Sequence, residues 1–166
     1  MTDPADGKVD ISVIIPIGSR HAVDLLALYS DYKAGLEALG STYEVIVVLD
    51  GPRPEVASDV QWLLSAGERI SVIGLTRRFG EATALVAGFQ RAGGRIILTL
   101  PAYHQIRGNE ISRLVRALGA TDLAIGRRWP RAGSRFEGLR RDVFHRLLAS
   151  VTGQRFRDLG CGARAI

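Results

Sequence analysis

The sequence predicts an α/β fold in which an open, mostly parallel sheet carries helices on both faces. Short runs rich in β-branched residues alternate with longer helical patterns along the whole chain. The strand runs are continuously apolar, which is typical of strands buried on both sides. Strands separated by helical segments favour parallel crossover units. The length of 166 residues fits one domain.

The first half of the chain contains three predicted strands, each followed by a helical segment. Gly40 and Gly67 follow the ends of the first two helices, as expected where a chain leaves a helix. Pro54 suits the first turn of the second helix. The third helix is rich in small residues, which favours close packing on the sheet. The strands are predicted at 10–17, 43–51 and 69–75, and the helices at 22–39, 54–67 and 80–94.

The second half continues the same alternation. Asn109 is the expected N-cap of the fourth helix, since its side chain can accept a hydrogen bond from a free backbone N–H. The strands are predicted at 95–100 and 121–128, with a last short strand within 156–166, and the helices at 109–119 and 134–153.

The domain organisation is predicted to be simple. Residues 1–9 are polar and lack periodicity, so a flexible N-terminus is expected there, before a single domain over 10–166. Cys161 is the only cysteine, which excludes an intramolecular disulfide and a zinc site built from thiolates. No uncharged run reaches the ~18 residues of a membrane span, so a cytoplasmic location is the default expectation.

The basic residues are almost all arginines. The chain has a net charge of +5, and Lys8 and Lys33 are the only lysines among 22 basic residues. Either the arginines are solvated, or they bind an anionic partner such as a nucleotide, a phospholipid surface or a nucleic acid. The absence of a basic–aromatic RNA motif and of a helix-turn-helix pattern makes nucleic acid the weakest of these.

The helix predicted at 134–153 combines apolar residues at three- and four-residue steps with several arginines. This pattern suits an interfacial helix on anionic lipid, and it also suits an ordinary amphipathic helix on a basic protein. The apolar positions are Phe136, Leu139, Val143, Leu147 and Val151, and the arginines in and before the helix are Arg127, Arg128, Arg131, Arg135, Arg140, Arg141 and Arg146.

Ligands of open α/β sheets bind beyond the carboxyl ends of the strands. That rule selects the segments 18–21, 49–53, 76–80, 101–105 and 126–128. Asp50 could accept hydrogen bonds from a nucleobase or ribose, or from backbone N–H groups of its own turn. Arg78 stands just before the helix that begins near Gly80, where an anion could bind, although a pair of surface arginines would look the same.

The order of these segments resembles the family 2 glycosyltransferases, and most closely the dolichyl- or polyprenyl-phosphate mannosyl- and glucosyltransferases. The similarity runs from about Asp10 to Ile166 and includes "YEVIVVLDG", "LTRRFGEATALVAGFQRAGG" and the terminal "DLGCGARAI". It implies a Rossmann-like GT-A fold, a nucleotide-diphosphate sugar donor, a divalent metal bound by an Asp-x-Asp motif, and a polyprenyl-phosphate or other acceptor. It also implies a peripheral position at the inner face of a membrane and a chain that continues past residue 166.

The resemblance assigns site residues by position. It places Asp50 at the nucleoside and Asp158 on the acceptor side as a catalytic base. Arg78, which stands where the family usually has Asn, and Arg127 lie at strand ends and are expected to bind the diphosphate. The remaining donor-site positions are Pro16, Ile17, Gly18 and Gly80. The metal motif falls on Pro101, Ala102 and Tyr103.

Those last three residues depart from the family pattern. A divalent cation prefers carboxylate oxygens, and a tyrosine with a pKa of ~10 is a poor ligand at neutral pH. We therefore expect no metal cofactor, with arginines offsetting the charge of the diphosphate. The sequence predicts a metal-independent or impaired transferase, or a catalytically inactive homologue that serves as a binding or regulatory module.

Overall fold

The computed structural model describes residues 9–18, 24–119, 121–127, 135–153, 158 and 160–166. Within these residues, strands and helices alternate as the sequence predicts. The 3₁₀ turns Pro54–Val56 and Gly108–Glu110 lead into α2 and α4. The elements are β1 (Ile11–Ile17), α1 (Leu25–Glu37), β2 (Tyr43–Leu49), α2 (Ala57–Ser65), β3 (Ile70–Gly74), α3 (Glu81–Arg91), β4 (Ile96–Thr99), α4 (Ile111–Leu118), β5 (Ala124–Ile125), α5 (Arg135–Thr152) and β6 (Arg164–Ala165).

The described strands form one sheet in the order β3-β2-β1-β4-β6-β5. Strands β1 to β4 are parallel to one another, while β6 runs antiparallel to both β4 and β5. The mostly parallel sheet is therefore confirmed. The chain moves outward from β1 to β3 and then returns to place β4 on the other side of β1. This reversal creates a topological switch point between β1 and β4.

Helices cover both faces of the sheet, as predicted. On one face α3 packs against Ile14, Ile46 and Val48, and on the other α1, α2 and α4 share a larger core with β1 and β2. A Cβ added to Gly88 of α3 would lie 2.5 Å from Cγ2 of Ile14. The small residues of α3 thus allow the close approach that the sequence indicated.

Two local predictions are wrong. Asn109 lies inside the 3₁₀ turn, and the position before α4 is Glu110, which makes no side-chain cap hydrogen bond. The predicted strand at 121–128 is only two residues long. Within the described residues its one pairing is with β6, which is itself two residues long and supports no longer ladder.

Other expectations fall partly outside the described residues. The flexible N-terminus expected at 1–9 lies outside them apart from Val9, and so do positions 19–21 and Arg128. Of the helices that the structure describes, none combines the length and the apolar composition that a membrane span requires.

Helix α1 contacts the 3₁₀ turn at Gly108–Glu110 backbone to backbone. A Cβ on Gly35 would lie 2.0 Å from the carbonyl oxygen of Gly108, and a Cβ on Gly108 would lie 1.9 Å from that of Asp31. The Gly108 N–H donates to Oδ2 of Asp31 at 2.9 Å. This contact fixes the segment that follows β4 and leaves no room for a side chain at either glycine.

Candidate functional site

The candidate site lies at the carboxyl edge of the sheet, on the switch point between β1 and β4. Gly18 follows β1 and is exposed, whereas Ile17 is buried in the core. The carbonyl of Ile17 accepts a hydrogen bond from the Asp50 N–H at 3.0 Å. Pro16 is half-buried and Pro101 is buried. Because the side chain of Ile17 is buried, any contact between Ile17 and a ligand would have to come from its backbone.

The side chain of Asp50 accepts hydrogen bonds from the loop between β3 and α3 and so fixes its position. Its Oδ1 accepts the N–H of Phe79 at 2.7 Å, and Oδ1 and Oδ2 lie 3.2 and 3.1 Å from the N–H of Gly80. The side chain is buried, and these bonds satisfy donors at the start of α3 that no helical carbonyl can reach. Asp50 thus receives backbone N–H groups, from a neighbouring loop rather than from its own turn. Contact of Asp50 with a nucleoside stays a prediction.

The same loop brings Arg78 to the site. The N–H of Gly80 points to Asp50, so the anion position at the start of α3 is already taken by the protein's own carboxylate. The backbone of Arg78 crosses Gly51 so closely that a Cβ on Gly51 would lie 3.0 Å from the Arg78 nitrogen. Gly51 also has φ of +85°, which favours glycine. The Arg78 side chain is exposed and remains available to an anionic ligand.

Arg53 is a buried cation that the sequence analysis did not single out. Its side chain is 3% exposed, and its Nη1 lies 3.5 Å from the carboxylate of the exposed Glu55. Nη2 donates to the carbonyl of Asp50 at 3.1 Å, and Nε has no hydrogen-bond partner among the described residues. The strand-end rule covered position 53, but arginines are normally exposed and nothing in the sequence indicates this burial. Arg53 therefore holds a buried guanidinium next to the backbone of Asp50, the residue that follows β2.

The segment after β4 is fixed by neutral groups. The hydroxyl of Tyr32 donates to the carbonyl of Pro101 at 3.0 Å. Burial raises the pKa of Tyr32, so this hydroxyl stays a protonated donor. Ala102 is buried, and the Tyr103 hydroxyl accepts a hydrogen bond from Nε2 of Gln105.

The C-terminal segment packs against residues 101–105, which follow β4 and which we call the tip of β4. The N–H of Gly162 donates to Oε1 of Gln105 at 3.0 Å, and the Gly162 carbonyl accepts the Thr99 hydroxyl at 2.9 Å. Asp158 is buried, and its carbonyl accepts the N–H of Cys161 at 3.3 Å. Asp158 is thus hydrogen-bonded to Cys161, whose neighbour Gly162 contacts the residues around the end of β4.

A cavity of about 920 Å³ opens beside this tip, between the loop after β4, helix α4 and strand β5. Its volume is in the range of small-molecule sites. Basic side chains dominate its polar lining, and Glu110 is paired with Arg113 at 3.1 Å. The residues that line it include His104, Arg107, Glu110, Arg113, Ile125 and Arg127.

The strand order separates Arg127 from Arg78. Arg78 follows β3 and Arg127 follows β5, and these strands are the opposite edges of the sheet. Five strand spacings amount to roughly 24 Å. The strand order therefore does not bring Arg78 and Arg127 together, and it does not support the expectation that both bind one diphosphate.

The residues at the tip do not fit a divalent metal. Pro101 and Ala102 offer no side-chain oxygen, and the phenol of Tyr103 is engaged with Gln105. Within the part of the chain that the structure describes, no group of three histidine, cysteine or acidic side chains could hold a metal ion. Hard divalent cations require several oxygen ligands, usually including carboxylates. No chemistry of this site is therefore assigned to a metal.

Comparison with known families gives one match over most of the chain. The family model described as "Glycosyl transferase family 2" matches residues 12–164. Among curated proteins, the undecaprenyl-phosphate 4-deoxy-4-formamido-L-arabinose transferase of Enterobacter sp. (strain 638) is 34% identical over 157 residues. The alignment covers 93% of this chain and 48% of that protein. The chain thus spans about half the length of the curated relatives it matches.

Solved structures share the fold at lower identity. Glucosyl-3-phosphoglycerate synthase from Mycobacterium tuberculosis, solved with Mn²⁺, UDP-glucose and phosphoglyceric acid, has a TM-score of 0.61 and 18% identity, and the match covers 95% of this chain and 56% of that one. A mannosyltransferase from Pyrobaculum calidifontis, solved with GDP-mannose and Mn²⁺, has a TM-score of 0.51 and 21% identity, with 70% and 34% covered. These similarities concern the fold alone.

Proposed function

Because this chain belongs to glycosyl transferase family 2 and has its Rossmann-like GT-A fold, we propose that it binds a nucleotide-diphosphate sugar without a divalent metal. The proposed site lies at the carboxyl ends of β1 and β4. The observation that carries the proposal is the switch point between these two strands, with Arg78 in a loop on one side of it and Arg127 in a loop on the other. Nucleotides bind open α/β sheets at such points.

The donor would lie along the carboxyl edge of the sheet. Its nucleoside and diphosphate would lie on the side of β2 and β3, where Arg78 is exposed and Arg53 contributes buried positive charge. The sugar would point toward β4, Asp158 and Arg127. In this arrangement Asp50 keeps the Arg78 loop in place through its bonds to Phe79 and Gly80.

Arginine would supply the positive charge at the diphosphate that a bound divalent metal could otherwise supply. A guanidinium can bind phosphate oxygens through two parallel hydrogen bonds, and it keeps its charge at any physiological pH. Negative charge that develops on the departing diphosphate would be stabilised by Arg78. The composition of the segment from Pro101 to Tyr103, which lacks carboxylates, supports this assignment.

The acceptor would be a polyprenyl phosphate, by analogy with the relatives whose names specify undecaprenyl phosphate. Asp158 would act as the base on the acceptor side. A lipid acceptor requires that the domain works at a membrane, so we place it at the inner face as a peripheral protein with the membrane surface as a second partner.

Donor binding can be tested by isothermal titration with a panel of UDP- and GDP-sugars. Arg78→Gln is expected to weaken binding about tenfold, because a charged hydrogen-bond donor to phosphate is lost. Arg95→Gln is the matched control, since Arg95 is an exposed arginine that pairs with Asp10 at the opposite end of β4. Its affinity should equal that of the unaltered protein. No detectable heat with any donor at millimolar concentration, or equal losses in both variants, would refute the proposed site.

The second candidate is a catalytically inactive homologue that acts as a binding or regulatory module. The end of β4 favours this candidate, because Pro101, Ala102 and Tyr103 offer no carboxylate that could bind a metal ion. It predicts donor binding without sugar transfer. Transfer above background that disappears in Asp158→Asn would exclude it.

A further inference from the structure

Helix α5 presents aliphatic side chains to solvent along one side. Val143, Leu147 and Val151 follow one another at four-residue steps, so they lie on the same side of the helix. Their exposed fractions are 48%, 62% and 85%, and the neighbouring Phe144 is 55% exposed. We call the first three residues the apolar stripe. Large aliphatic residues are normally buried, and a contiguous exposed group of them indicates an interaction surface.

The charge of the chain is concentrated in the same region. Residues 127–152 hold seven of the 22 basic residues and two of the 17 acidic residues, so their formal charge of +5 equals that of the whole protein. The remaining residues balance to zero. Arg140 and Arg146 are exposed on α5, within one turn of the stripe. The described surface of α5 therefore combines exposed aliphatic side chains with two exposed arginines.

We propose that α5 docks on an anionic lipid bilayer. The apolar stripe enters the boundary between headgroups and acyl chains, and the neighbouring arginines contact lipid phosphates. A second copy of this chain would bring the same positive charge to the contact, and like charge opposes that association. The charge of the segment thus favours anionic lipid as the occupant.

This inference assigns the proposed membrane partner to particular residues, and it can fail while donor binding holds. Residues 127–152, the basic segment, begin with Arg127, which lines the cavity beside the tip of β4. The docking surface and the acceptor side of the proposed site are thus joined in one stretch of chain.

Co-sedimentation of the full chain with vesicles tests the surface. Binding is expected to vesicles of equimolar phosphatidylglycerol and phosphatidylcholine and not to phosphatidylcholine alone, and salt should weaken it. Leu147→Glu should lower vesicle affinity about tenfold, because an inserted leucine is replaced by a charge. Arg146→Gln should lower it about fivefold.

Leu64→Glu is the matched control. Leu64 is 50% exposed on α2, outside the basic segment, and its replacement should leave vesicle binding unchanged. Leu147→Glu should keep the nucleotide-sugar affinity of the unaltered protein, which shows that its fold and donor site are intact. Equal binding to neutral vesicles, or equal losses in Leu64→Glu and Leu147→Glu, would overturn the proposal. The proposal would also be overturned if the protein did not bind vesicles but formed a dimer that the Leu147→Glu substitution dissociates.

Discussion

Replacing Gly108 by alanine is expected to lower the free energy of unfolding by about 3 kcal/mol, a large effect for a single methyl group. The added Cβ would lie 1.9 Å from the carbonyl oxygen of Asp31, and the obstacle is backbone that cannot rotate away. Helix α1 and the turn before α4 would have to separate, which disturbs the core shared by the two helices. Chemical denaturation measures the loss directly. Gly35→Ala should behave alike, because its Cβ would meet the carbonyl of Gly108 at 2.0 Å.

Gly74→Ala provides the control for this prediction. Gly74 is also a glycine in a regular element, at the end of β3, but no atom lies within 4 Å of where its Cβ would be. Its replacement should change stability by no more than about 0.5 kcal/mol. If Gly108→Ala were as mild as Gly74→Ala, the close contact between α1 and the turn would be wrong.

Replacing Asp50 by alanine is the second large expected effect, with a loss of about 3 kcal/mol in stability and a weaker affinity for the donor. The substitution removes the carboxylate that accepts the N–H groups of Phe79 and Gly80, and a hydrogen bond to a charged group contributes about 1.5–3 kcal/mol. The loop that carries Arg78 loses its anchor at the same time. Denaturation and isothermal titration measure the two effects separately. Asp50→Asn should lose less of both, because one acceptor oxygen remains.

Asp24→Ala is the control for Asp50. Asp24 also caps a helix, since its Oδ1 accepts the N–H of Ala27 at 3.0 Å, but it is exposed and its helix lies on the other face of the sheet. Loss of such a cap costs about 1 kcal/mol, and donor affinity should not change. A loss of stability in Asp50→Ala no greater than that in Asp24→Ala would contradict the anchoring role.

Most of the fold could be predicted because its signals are local. Continuous β-branched runs indicate the buried parallel strands, and glycines such as Gly40 and Gly67 mark helix ends. The length of β5 could not be predicted, since it is limited by a partner strand about 40 residues further along the chain. The N-cap at Asn109 failed because the chain enters α4 through a 3₁₀ turn.

The location of the candidate site could be predicted from the sequence, but the contacts of its residues could not. The strand-end rule selected the segments that hold Asp50, Arg78 and the tip of β4. What those residues touch depends on tertiary approach, as in the bond from Tyr32 to Pro101 across 69 positions. The separation of Arg78 from Arg127 required the order of the strands, which local pattern does not encode. The burial of Arg53 had no sequence signal.

The central claim is that arginines at the carboxyl edge of the sheet, and no metal, hold the diphosphate of the donor. Isothermal titration of the best donor from the panel, once in excess EDTA and once with Mn²⁺, tests it most directly. The segment from Pro101 to Tyr103 offers no carboxylate to a cation, so the two dissociation constants should agree within about twofold. Binding that is detected only with Mn²⁺, or that Mn²⁺ strengthens by about tenfold or more, would contradict the claim.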